Sequence, residues 1–180
     1  LITAADGYTL SLTGDANTFV AAIDILSTGK VTIGSADSDS STFNGGLTLV
    51  NGDPALDVRG AINSSADAIN FGTGTVTLLG DTTVATNAGG LASAAGSSIT
   101  FGGAITGAFD LALNAGTGGA IASNGADAAG LIDITDLTIT QAGSAAFAGR
   151  VQINDLITAA DGYTLSLTGD ANTFVAAIDI

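Results

Sequence analysis

The sequence has 180 residues, 17 of them acidic and three basic, for a net charge of −14. That balance repels phosphate backbones, and Lys30, Arg59 and Arg150 make no basic stripe, so nucleic acid is not an expected partner. No run of about 18 apolar residues occurs, so no membrane-spanning helix is expected, and the absence of Cys excludes disulfides and thiolate metal sites.

Taken in chain order, the sequence reads as short strands. In GYTLSLTG, Tyr8, Leu10 and Leu12 face one way and Thr9, Ser11 and Thr13 the other, which is the period of a β-strand. TFVAAIDIL at 18–26 has the apolar density of a buried helix, but its Thr, Phe, Val and Ile favour strand. The alternation returns at Val31/Ile33, Leu47/Leu49, Leu56/Val58, Ile69/Phe71 and Val76/Leu78, then at Ile99/Phe101 and Leu111/Leu113. It ends with Ile132/Ile134, Leu137/Ile139 and Val151/Ile153. The phase predicts Phe71, Phe101, Phe109 and Phe147 as inward and buried.

Turn chemistry separates the strands: GD at 14–15, NGG at 44–46, NGDP at 51–54, GD at 80–81, NAGG at 87–90 and NG at 124–125. Several equivalent apolar positions recur at a common spacing, as in Leu10 to Val31, Leu56 to Val76 and Leu78 to Ile99. A step of about 20 residues suits one coil of a β-solenoid, three strands and their corners. The fold expected is therefore all-β, a parallel β-helix of about 20–22 residues per coil.

Residues 156–180 repeat residues 1–25 letter for letter, LITAADGYTLSLTGDANTFVAAIDI. Residues 1–155 read as one full tandem unit, and 156–180 as the start of the next, the whole being an interior window of a longer array. A unit of seven or eight coils would advance roughly 34–38 Å along the rod axis. The second copy should sit on the strands before Leu156, and the first should leave its lower edge open. Terminal strand exchange between subunits is the other explanation of the repeat.

The runs GDTTVATNAGGLASAAGSSITFGGAITGAFDLALNAGTGGAI (80–121), DLTITQAGSAAFAGRVQI (136–153) and STFNGGLTL (41–49) resemble repeats of giant bacterial surface proteins. These are the filamentous-haemagglutinin-like and β-strand-repeat adhesins. The resemblance implies secretion, a right-handed parallel β-helix continuous through the repeats, and a role in adhesion, biofilm matrix or filament formation. It brings no catalytic residues. The expected function is an extracellular structural fibre whose partner is itself, end to end and in lateral bundles. The alternative is the stalk of a secreted adhesin on the cell surface that projects a binding domain.

Individual sites are few. Asp37 and Asp39, in GSADSDSST, put carboxylate and hydroxyl oxygens on one turn and are the candidates for Ca²⁺. No cofactor is required by any motif. Asp15, Asp53, Asp81 and Asp127 read as turn formers, while Asn63, Asn70, Asn114 and Asn154 are candidates for an amide ladder between coils. Asp133 and Asp136 could be mistaken for an acid/base pair. With neither His nor Glu, and few aromatics to stack a sugar, no enzyme activity is expected.

Overall fold

The computed structural model describes residues 1–50, 54–87, 95–124, 131–159, 162–176 and 178–180. Strands β1 (Leu10–Leu12), β2 (Asn17–Phe19) and β3 (Ile23–Ile25) make the first turn of a coil. β4 (Val31–Ile33), β5 (Ser40–Phe43) and β6 (Leu47–Leu49) make the second. β7 (Leu56–Asn63) runs round a corner and serves two faces before β8 (Ile69–Asn70), and β9 (Val76–Ala85) does the same before β10 (Ile99–Phe101). Then come β11 (Ile105–Thr106), β12 (Leu111–Asn114) and β13 (Ala120–Ser123), followed by β14 (Ile132–Asp133), β15 (Asp136–Gln141) and β16 (Ser144–Phe147). β17 (Val151–Ile153), β18 (Asp155–Thr158) and β19 (Thr164–Leu167) form the seventh turn, and β20 (Thr173–Phe174) and β21 (Ile178–Asp179) begin an eighth.

Every pairing between these strands is parallel, and each strand lies on its counterpart one turn earlier. The molecule is a β-solenoid of about seven turns with no helix among the described residues. Its first face runs β1, β4, β7, β9, β11, β14, β17, β20, and its third runs β3, β6, β8, β10, β13, β16, β19. The second face, from β2 and β5 to β18 and β21, joins the first wherever β7 and β9 turn the corner.

On the first face Val31, Leu56, Val76, Ile105, Ile132 and Val151 follow Leu10 in register, one turn after another. The turns from Leu10 to Val31, Leu56 to Val76 and Ile132 to Val151 match the expected spacing to within a residue or so. Those from Val31 to Leu56, Val76 to Ile105 and Ile105 to Ile132 are longer. Extra residues go into corners, such as 34–39 between β4 and β5, where an outward bulge costs no rung of the ladder. The 18–26 segment is two strands, β2 and β3, with a corner between them.

Alternation gives the core. Val31, Leu56, Val76, Ile105, Ile132 and Val151 are all buried, one above another. On the third face Leu49, Phe71, Phe101, Ser123, Phe147 and Leu167 form the corresponding column. The Phe71 and Phe101 rings stack with centroids 4.7 Å apart, and Phe19 and Phe43 do the same on the second face at 4.9 Å. Ser123 interrupts the third-face column between two Phe residues, and its buried hydroxyl has no hydrogen-bond partner.

Phe71, Phe101 and Phe147 are buried as the alternation requires, but Phe109 is 37% exposed. It lies between β11 and β12, in the corner before Asp110, and a corner resets the two-residue phase counted back from Leu111. Corners also demand specific glycines. Gly34, just after β4, has φ +82°, and a Cβ there would fall 1.9 Å from the Arg59 carbonyl oxygen of the next turn.

The two copies of the repeated sequence lie at opposite ends. Residues 156–180 sit on β15, β16 and β17, while β1, β2 and β3 pair on one side only. Both use the same inward set: Leu10, Leu12 and Phe19, then Leu165, Leu167 and Phe174. Both also make the same internal bond, Thr3 Oγ1 to the Asp24 carbonyl at 2.8 Å and Thr158 Oγ1 to the Asp179 carbonyl at 3.2 Å.

They do not occupy the same faces. Leu10 is on the first face of the first turn, and its copy Leu165 is on the third face of the seventh. The offset between the copies is therefore six turns and two faces. At about 4.8 Å per turn this is a rise of roughly 32 Å, short of the expected 34–38 Å. The GDAN corner absorbs the change: Gly14 has φ +124° in the first copy, whereas Ala171 takes the positive φ in the second.

Candidate functional site

Two features of the solenoid carry its chemistry: an acidic corner and the open ends. The corner is the one between the first and second faces. Asp81, Asp110, Asp136 and Asp155 each stand one residue before the stacked positions Thr82, Leu111, Leu137 and Leu156. The spacing between successive rungs is about 4.8 Å. The column holds itself by hydrogen bonds: the Asp110 N–H donates to Asp81 Oδ1 at 3.2 Å, and the Asp155 N–H to Asp136 Oδ1 at 3.1 Å. The Asp136 N–H likewise donates to the Asp110 carboxylate. Burial pushes the Asp110 pKa up, and the neighbouring charges of Asp136 and Asp81 add to the shift.

Arg59 closes the lower end of this column. Its Nε lies 2.7 Å from Asp37 Oδ1 and its guanidinium also reaches Asp37 Oδ2 at 3.3 Å. This bond holds the Asp37 carboxyl below its ordinary range and raises Arg59. A groove of about 300 Å³ runs beside the pair, lined in part by Asp37, Asp81, Thr82, Asp110 and Thr138.

The structure engages Asp37 and Asp39 separately. Asp37 is exposed and turned to Arg59, while Asp39 is buried. Asp39 Oδ2 accepts from the Ser35 N–H at 2.7 Å, the Ser35 hydroxyl at 2.9 Å, and the Ala36 and Gly14 N–H groups at 3.3 Å. These bonds, the Ser35 amide first, lower its pKa. Asp39 thus pins its own turn and ties it to the turn below. Among the described residues, no three carboxylates gather where they could hold one metal ion.

The remaining sequence candidates are placed as follows. Asn63 and Asn114 share a column, but Ala85 stands between them, so they form no ladder. Asn63 donates to Ser40 Oγ, and Asn70 and Asn114 each accept the N–H two residues on. Asn154 is exposed. Asp133 lies on the first face and Asp136 at the start of β15 on the second. Asp53 and Asp127 lie outside the described residues.

The open ends are the second feature. At the bottom, Leu10, Leu12 and Phe19 are half-buried; at the top, so are Leu165, Leu167 and Phe174. Among the described residues, three strand edges at each end have no partner strand. Unpaired edges over a half-covered apolar interior are what the next turn of a solenoid covers. Nearby, Val20 is 80% exposed and its copy Val175 is 76% exposed.

Comparison with family models, with curated proteins and with solved structures found no match. No sequence pattern points to the carboxylate column. Its members recur at unequal intervals along the chain, so no fixed period marks them until the register is known. One signal is present: each precedes a strand, as in D-T-T-V, D-L-A-L, D-L-T-I and D-L-I-T.

Proposed function

We propose that this chain is part of a structural rod, a tandem array of units equivalent to residues 1–155 that builds an extracellular fibre on a bacterial surface. The observation that carries the reading is the pair of end turns: the same sequence closes the top and opens the bottom of one continuous ladder. Parallel backbone pairing along every face gives such a rod its strength, and the column of inward Leu, Ile, Val and Phe keeps water from the ladder. The excess of Asp gives neighbouring rods like charge and sets their lateral spacing by salt. The resemblance of residues 80–121 and 136–153 to repeats of giant surface proteins supports secretion.

Electron microscopy of chains carrying one, two and three units tests the rod. Each added unit should lengthen the particle by about 32 Å at constant width. Growth in width, or separate beads on a string, would refute it. Antibody raised against the unit should label intact cells of the source organism; labelling that requires permeabilised cells would refute the extracellular location.

A further inference from the structure

The upper edge of residues 1–25 is already covered in this structure, by β4, β5 and β6. Leu10, Ser11 and Leu12 pair with Val31, Thr32 and Ile33; Thr18 and Phe19 pair with Thr42 and Phe43; Ile23, Asp24 and Ile25 pair with Leu47, Thr48 and Leu49. Residues 156–180 present the same side chains with the same inward set, and their upper edge has no partner among the described residues. The molecule therefore displays, at its own bottom, the occupant that fits its top.

We infer that residues 156–180 are a landing platform for residues 31–49 of a following copy, and that each copy is turned by one face, roughly 120°, relative to the one before. This rests on the reading of the chain as a tandem rod. The register transfers directly. Ser166 takes the place of Ser11 beneath Thr32 of the following copy, and Phe174 takes the place of Phe19 beneath its Phe43. The 4.9 Å ring stack of Phe19 on Phe43 recurs across the junction.

The rotation follows from the face change. Because the offset is six turns and two faces, the following copy's β4 lands on the third face and not on the first. The GDAN corner permits this, since Gly14 in one setting and Ala171 in the other supply the left-handed residue. Three copies make 20 whole turns and restore the starting face after about 96 Å. The consequence for the fibre surface is specific. The exposed Val20 and Val175 positions, and every other feature of the unit, wind round the rod as a threefold screw, so no side of the fibre is chemically distinct.

Paired cysteines test this, since the natural chain has none. In the present chain, Ala146→Cys with Ser166→Cys joins register neighbours on the third face and should cross-link as fully as the reference pair Ser11→Cys with Thr32→Cys. Gln152→Cys with Ser166→Cys, on different faces, should not. Cross-linking of the 152/166 pair in preference to 146/166 would overturn the rotation. In a chain extended by a second copy of residues 26–180, Ser166→Cys should cross-link to Thr32→Cys of the following copy. Electron microscopy of that extended chain separates the two levels. A particle about 32 Å longer without the junction cross-link overturns the platform and leaves the rod. A particle of unchanged length overturns the rod itself, and the platform with it.

Discussion

Replacing Phe101 with Ala is the sharpest probe of the core. The ring is 1% exposed, stacked on Phe71 at 4.7 Å and followed by the small Ser123 one rung up. Nothing large stands ready to collapse into the gap from above. Truncating a ring so enclosed costs about 3–5 kcal/mol, the lost stacking included. Phe109, 37% exposed in a corner, should cost about 1 kcal/mol or less when truncated. A solenoid transmits such damage mainly to adjacent turns, so the readout is hydrogen exchange at single amides. The Phe71 N–H donates to the Thr100 carbonyl and the Asn124 N–H to the Phe101 carbonyl, so both amides report on this rung. In Phe101→Ala they should exchange faster by roughly two orders of magnitude or more, while the Leu10 N–H, bonded to Lys30 far below, should keep its rate. Equal effects of Phe101→Ala and Phe109→Ala would refute the assigned strand phase.

Gly34→Ala should destabilise strongly, through both its positive φ and the clash with the Arg59 carbonyl, whereas Gly162→Ala, with no atom near its added methyl, should be close to neutral; thermal melts of the two variants decide it. Asp39 has a folded pKa below its unfolded value, so its contribution is fully present above about pH 4 and is lost as pH falls through the lower, folded value. Asp39→Asn should flatten the acid limb of the stability profile, and an unchanged limb would show that its four hydrogen bonds do not discriminate charge. Calcium at Asp37 has to displace Arg59, so added Ca²⁺ should act mainly by bundling separate rods, which light scattering detects; identical scattering with Ca²⁺ and with chelator would remove any role for the ion.

The solenoid is legible in the sequence because its determinants are local. Val31 and Ile33, or Leu47 and Leu49, carry the two-residue period whatever surrounds them, and Gly and Asn mark the corners between. What the sequence does not reveal depends on register. Phe109 has the right parity for burial and loses it at a corner. The carboxylates of Asp81, Asp110, Asp136 and Asp155 become neighbours only because turns of unequal length bring them into one column. The rotation of the second copy is of the same kind: corners of unequal length decide how many faces fit into one repeat unit, and no single corner states the sum. The Ca²⁺ candidates Asp37 and Asp39 are close in sequence, but Arg59, on the next turn, takes the first, and Ser35 takes the second.

X-ray diffraction from rods aligned by flow tests the central claim most directly. A parallel β-solenoid stacks its strands along the long axis, so the reflection at about 4.8 Å should lie on the meridian. A reflection at about 4.8 Å on the equator, or one spread evenly round the ring from well-aligned rods, would mean that the strands do not stack along the rod and would contradict the solenoid fibre.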